Sequence, residues 1–175
     1  MNNLESINYS NFFNNSITAS QILFNKYLKA YSLNQYRKLI IDKLSINLNN
    51  LAIPEQIHST NVKWINSNGY FKNADGLITG NKQIILSLQT ADCVPVFLYD
   101  RKHNIKGLVH SGWRGTAGDI VPNAVRKMLK MGADKKEVNV FMGPSIGFCC
   151  YEVDGDVADN FNKNTKRKME SGKWK

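Results

Sequence analysis

With 175 residues, 42% of them hydrophobic, the chain can bury one sizeable core and its length requires no second domain, so residues 1–175 are expected to form a single domain. QIILSLQT is too short to span a bilayer and MNNLESINYSNFF lacks the charged and apolar regions of a signal peptide, which predicts a cytoplasmic protein with no membrane partner. The net charge of +9 raises nucleic acid as a partner; however, Lys163, Lys166, Arg167, Lys168, Lys173 and Lys175 gather near the end with Trp174 as their one aromatic neighbour, a pattern that reads as a solvated tail and excludes nucleic acid from the expected partners.

The chain then alternates helix and strand without a linker. SITASQILFNKYLKAY sets Ile17, Leu23, Tyr27 and Tyr31 near a helical period behind Ser16 as a cap, and predicts a helix. NVKWIN alternates as a half-buried strand does, and after the turn-like NADG the apolar runs QIILSLQ and VPVFLYD read as buried strands. RKHN, with His103, is a surface turn leading into the strand IKGLVH. Asp119 opens a helix whose apolar stripe is Ile120, Val121, Ala124, Val125, Met128 and Leu129; Pro122 sits in its first turn and Gly132 ends it. A last strand, EVNVFM, runs into GPSIGFCCYEV, and DGDVADNFNKN reads as a short helix.

Three blocks carry residues with metal chemistry: QIHST with His58, TADC with Cys93, and HSGWRGT with His110. Two imidazoles and a thiolate suit zinc or copper, and three protein ligands leave one position open, the ligand count of a catalytic metal. None forms a local ligand pair, so spacing alone says little. Taken singly, a histidine beside a strand is more often a hydrogen-bonded structural residue, and a cysteine after a buried strand a small core residue. Arg114 reads as a surface cation stacked on Trp113, and Asp75 and Asp92 as turn caps. Cys149 and Cys150 read as packing residues beneath a glycine-rich turn; adjacency and an odd cysteine count fit reduced thiols.

In this order, QIHST, NADGLIT, TADCVPV, HSGWRGT and GPSIGFCCYEV span Gln56 to Val153 and closely resemble the YfiH family, also called the laccase-domain, multicopper polyphenol oxidase or FAMIN-like family. The resemblance implies an α/β fold, a β-sheet sandwich flanked by helices and shared with the catalytic domain of the cytotoxic necrotizing factor toxins. It also implies that His58, Cys93 and His110 are the metal-binding and catalytic residues, with zinc the usual ion and copper the alternative. The chain departs from the family at both ends. Only Ser32-Leu33-Asn34 echoes the usual N-terminal blocks, an N-terminal arginine is missing, Phe148 replaces a more usual proline or polar residue, and family chains continue past Lys175 through strands with a Tyr-Arg pair, so the chain is expected to be truncated.

The activity implied is phosphorolysis of adenosine, inosine, guanosine or methylthioadenosine, together with hydrolytic deamination of adenosine, with purine nucleosides and phosphate as the small-molecule partners. On that reading Arg114, planar and bidentate, holds phosphate, aided by amides of the loop from Gly112 to Gly115. Asp75 or Asp92 orients a ligand histidine or binds a ribose hydroxyl. Three alternatives stand beside it: a metal-free hydrolase or amidase with Cys93 and His110 as nucleophile and base, a copper polyphenol oxidase, and a non-catalytic factor in cell-wall precursor editing.

Overall fold

The computed structural model describes residues 6–13, 18–22, 38, 42 and 47–161. Ser16, Ile17, Leu23, Tyr27 and Tyr31 of the predicted first helix, the Ser32-Leu33-Asn34 block and the basic residues from Lys163 onward lie outside the described residues.

The fold is mixed α/β, with three β-sheets and few helices among the described residues, as the family resemblance implies. Its largest sheet has five strands in the order β10-β8-β9-β6-β4. These are β4 (Val62–Trp64), β6 (Gly76–Thr79), β8 (Val94–Asp100), β9 (Ile105–Ser111) and β10 (Val138–Met142). The long antiparallel pair β8 and β9 forms the centre, joined through a turn in which Asn104 takes the left-handed conformation at φ 53°. A three-stranded sheet of β5 (Gly69–Phe71), β3 (Leu51–Pro54) and β7 (Ile85–Leu86) is wholly parallel. Helices with ranges among the described residues include α1 (Trp113–Ala117), α2 (Ile120–Lys130) and α3 (Gly155–Ala158).

Period-two alternation sends neighbouring side chains of the large sheet to different cores. Ile78, Val96, Leu98 and Val109 join Ile120, Ala124 and Met128 of α2, so the predicted apolar stripe of that helix is the one it buries. Ile120 and Met128 are fully buried, and removal of such side chains costs about 2–5 kcal/mol. Leu77, next to Ile78, instead meets Ala52 and Ile84 with Phe71 and Leu86 of the small sheet alongside. Tyr99, between Leu98 and Asp100, packs with Tyr9, Phe13 and Ala19 from the N-terminal segment.

Two predicted elements differ. Ser20–Ile22, placed in the first helix by its local spacing, is a strand, β2, paired antiparallel with β1 (Ser6–Asn8). Pairing across the 3-10 turn Ser10–Phe13, with Ala19 buried against Tyr9, Phe13 and Tyr99, outweighs the local helical period. QIILSLQ forms only the two-residue β7, half-buried at the edge of the small sheet. Among the described residues no helix is long and apolar enough to cross a membrane.

Candidate functional site

The three predicted ligands come from three separate loops and strand ends. His58 follows β3 in a loop where Gln56 (φ 61°) and His58 (φ 60°) both adopt the left-handed conformation. Cys93 precedes β8, and His110 lies near the end of β9, in register opposite Pro95 of β8. The fold brings their donor atoms within 4.8 Å of one another, with the two imidazoles edge to face at 4.8 Å between centroids. Bonds of about 2.0–2.3 Å from each to a single ion would need these atoms roughly 3–4 Å apart, a little closer than they stand.

Asp75, fully buried in the turn before β6, organises this corner. Its Oδ1 accepts the backbone N–H of His58 at 2.9 Å and faces Nδ1 of His110 at 2.9 Å, while Oδ2 accepts the backbone N–H and hydroxyl of Ser59, each at 2.7 Å. The backbone N–H of His110 donates to the Asp75 carbonyl at 2.7 Å. Burial pushes the Asp75 carboxyl upward, but hydrogen bonds from His110, Ser59 and His58 outweigh it and hold the group below its ordinary value. An ionised carboxylate only accepts, so it fixes the proton on Nδ1 of His110 and leaves the Nε2 lone pair for a ligand.

Cys93 is half-buried, and burial raises its thiol above the ordinary value, with the charges of Asp92 and Asp75 adding to the effect. The donor set therefore favours a cation: it would neutralise a thiolate that the surrounding carboxylates disfavour. Gly112, at the end of β9, closes the corner. A Cβ built there would lie 3.0 Å from Cδ2 of His58 and 3.1 Å from Sγ of Cys93, so any side chain would press on two of the three predicted ligands.

The remaining predicted residues are placed differently. Arg114 is exposed and stacks over the Trp113 ring at 4.2 Å, with no hydrogen bond or ion pair from its guanidinium to the cluster among the described residues. The Gly112–Gly115 stretch is not an open loop: it enters α1, where the N–H and Oγ1 of Thr116 both donate to the Gly112 carbonyl. Gly115 serves close approach instead, since a Cβ there would sit 3.1 Å from the Ser59 carbonyl. Asp92 is exposed, and its charge reaches both Cys93 and Tyr151. Cys149 and Cys150 are exposed rather than packed beneath the turn, with their Sγ atoms 3.2 Å apart, because the segment from Gly147 turns at the surface.

Two further residues escaped the sequence reading. Gln56 donates from Nε2 to the Gln89 carbonyl at 2.6 Å and accepts the Gln89 N–H on Oε1 at 3.0 Å, tying the His58 loop to the segment that carries Cys93. Tyr151 has its hydroxyl raised by burial and then by the charges of Cys93 and Asp92. Both lie in the quoted blocks, but neither a neutral amide nor a phenol signals its partner from sequence.

The model of a family described as multi-copper polyphenol oxidoreductase laccase matches residues 29–175. A purine nucleoside phosphorylase of Bacteroides thetaiotaomicron is 34% identical over 164 residues, 83% of this chain and 60% of that protein. A protein named adenosine deaminase RL5, from an unknown prokaryote, is 34% identical over 131 residues, 69% of this chain and 50% of that one. Among solved structures, YlmD from Geobacillus stearothermophilus superposes with a TM-score of 0.74 at 28% identity, covering 80% of this chain and 58% of its own. The chain thus spans about half to three fifths of the length of these relatives.

Proposed function

Because the chain belongs to the multi-copper polyphenol oxidoreductase laccase family, we propose that it acts on purine nucleosides in the cytoplasm, as a metal-dependent phosphorylase of adenosine, inosine, guanosine and methylthioadenosine that also deaminates adenosine. The observation that supports this most is the meeting of His58, Cys93 and His110 around one centre with Asp75 behind them. These three residues hold the metal, zinc first and copper second, and a bound ion supplies Lewis acidity at that point.

The chain's own groups do the rest. Asp75 keeps the proton on Nδ1 of His110 and, through the His58 and Ser59 amides, fixes the loop that presents the second imidazole. Arg114 binds phosphate with a planar pair of N–H donors, its side chain steadied by the Trp113 ring. Asp92 accepts a ribose hydroxyl beside Cys93. In phosphorolysis a phosphate oxygen bonds to C1′ as the bond from C1′ to the purine nitrogen breaks, and the electron pair leaves on the base. In deamination water adds at C6 of adenine and ammonia leaves.

The metal-free thiol reading fits less well, since burial and two carboxylates favour the protonated Cys93 thiol and, among the described residues, no lysine or arginine offsets them. Copper oxidation of phenols is weaker still in a chain with three histidines. The test is release of hypoxanthine from inosine, measured with and without phosphate, on metal-loaded and chelator-stripped protein. Phosphate-dependent release that disappears on stripping is expected; release that survives stripping, or that needs no phosphate, rejects the proposal.

A further inference from the structure

A separate groove of about 610 Å³ runs between β4 and α2, lined by Thr60, Asn61, Val62, Lys63, Asn73, Asn123, Arg126, Lys127 and Lys130. Lys63, Arg126, Lys127 and Lys130 supply four cations, and no carboxylate lines it. None of the four makes an ion pair among the described residues, where only Lys102, His103 and His110 do. A cluster of like charges without counter-charge repels itself, and an anion in the groove relieves that repulsion.

Three of the four cations are also held in place. Lys127 donates from Nζ to the Val62 carbonyl at 2.6 Å and Lys63 from Nζ to the Lys72 carbonyl at 2.7 Å. Each ammonium has three N–H donors, so two remain, and neutral carbonyl partners position the charge without cancelling it. Arg126 donates to Oδ1 of Asn123, which orients that amide and leaves its N–H groups available. Asn61 and Asn73 add further amides to the wall.

From this we infer that the groove is a binding site for a small polyphosphate anion, a compact ligand with several adjacent phosphoryl groups and no need of a stacked ring. Volumes of roughly 300–1,000 Å³ are usual for small-molecule sites. The lining contains no aromatic side chain, so it offers no platform for bases and is not built as a track for single-stranded nucleic acid. None of its residues belongs to the His58, Cys93 and His110 cluster, so this site and the nucleoside reading stand or fall separately.

The test uses inorganic tripolyphosphate and titration calorimetry on the full chain. Arg126 and Lys130 are exposed, so the double variant Arg126→Gln/Lys130→Gln removes two charges without emptying the core. Each lost charge-assisted contact weakens binding by about tenfold, or about 100-fold for the pair. The control Lys135→Gln/Lys136→Gln removes the same charge from exposed positions outside the groove and is expected to leave binding unchanged. Failure of the unaltered chain to bind tripolyphosphate at about 1 mM, equal losses in the two double variants, or tighter binding of single-stranded RNA than of tripolyphosphate would each overturn the assignment. Retained nucleoside turnover in Arg126→Gln/Lys130→Gln is expected on either outcome.

Discussion

The two ends of β9 carry the same device and put it to different use. Near one end Nδ1 of His110 meets Asp75 at 2.9 Å; at the other, across the turn from β8, Nδ1 of His103 meets Asp100 at 2.8 Å. Both carboxylates are fully buried, and each also accepts two backbone N–H groups, from His58 and Ser59 in one case and from His103 and Asp134 in the other. The histidines differ: His110 is buried beside a thiol and a second imidazole, whereas His103 is partly exposed with neither. A carboxylate clamped to an imidazole is thus a general way to pin a turn, and chemistry enters only where further soft donors converge.

The strongest way to break that contrast is Cys93→Ser, which leaves Asp75 and His110 paired but removes the thiolate. Loss of bound metal and a fall of more than about 100-fold in phosphorolysis are expected, exceeding the 10- to 100-fold typical of outer partners. Metal content equal to the unaltered chain would mean that convergence is not what distinguishes the two ends.

Matched substitutions of the two carboxylates sharpen it. Asp75→Asn is expected to weaken metal binding about 10- to 100-fold and to cost about 1–3 kcal/mol in urea denaturation, as losing a charged acceptor for buried donors does. Asp100→Asn is expected to cost about 1–3 kcal/mol with metal affinity unchanged. Equal effects on metal affinity would show that the contrast is wrongly drawn.

Smaller effects follow. Gly112→Ala introduces a methyl against His58 and Cys93 and is expected to lower metal affinity about fivefold for about 1 kcal/mol of crowding, with Asp75 untouched. The acid limb of stability is the mildest measure. Burial pushes the Asp100 carboxyl up, but the amides of His103 and Asp134 and the His103 ring hold it below its ordinary value. Its contribution is therefore present above about pH 4 and disappears as pH falls through the depressed folded value. Thermal unfolding of Asp100→Asn between about pH 2 and pH 5 should be flatter than that of the unaltered chain.

What the sequence disclosed and what it hid separate along physical lines. Strands β8 and β9 and helix α2 were legible because each is long enough for its period to show and buries the face its pattern predicts. The short β2 was not, since its strand character comes from pairing with Ser6–Asn8 rather than from its own residues. His58, Cys93 and His110 were singled out by their donor chemistry, and their meeting depended on left-handed turns at Gln56 and His58 that no residue type there announces. Asp75 and Asp100 look alike as turn aspartates; only tertiary placement gives one a second histidine and a thiol as neighbours. Arg114 reads as a stacked surface cation in both sequence and structure, and its phosphate role rests on the proposed chemistry.

The two-sided grip of Gln56 on Gln89 has a kinetic corollary. Because one side chain both caps the Gln89 amide and anchors beside its carbonyl, exchange of that amide proton with solvent reports the opening of the contact between the segments bearing His58 and Cys93. A single backbone resonance would thereby act as a clock for how often that contact opens.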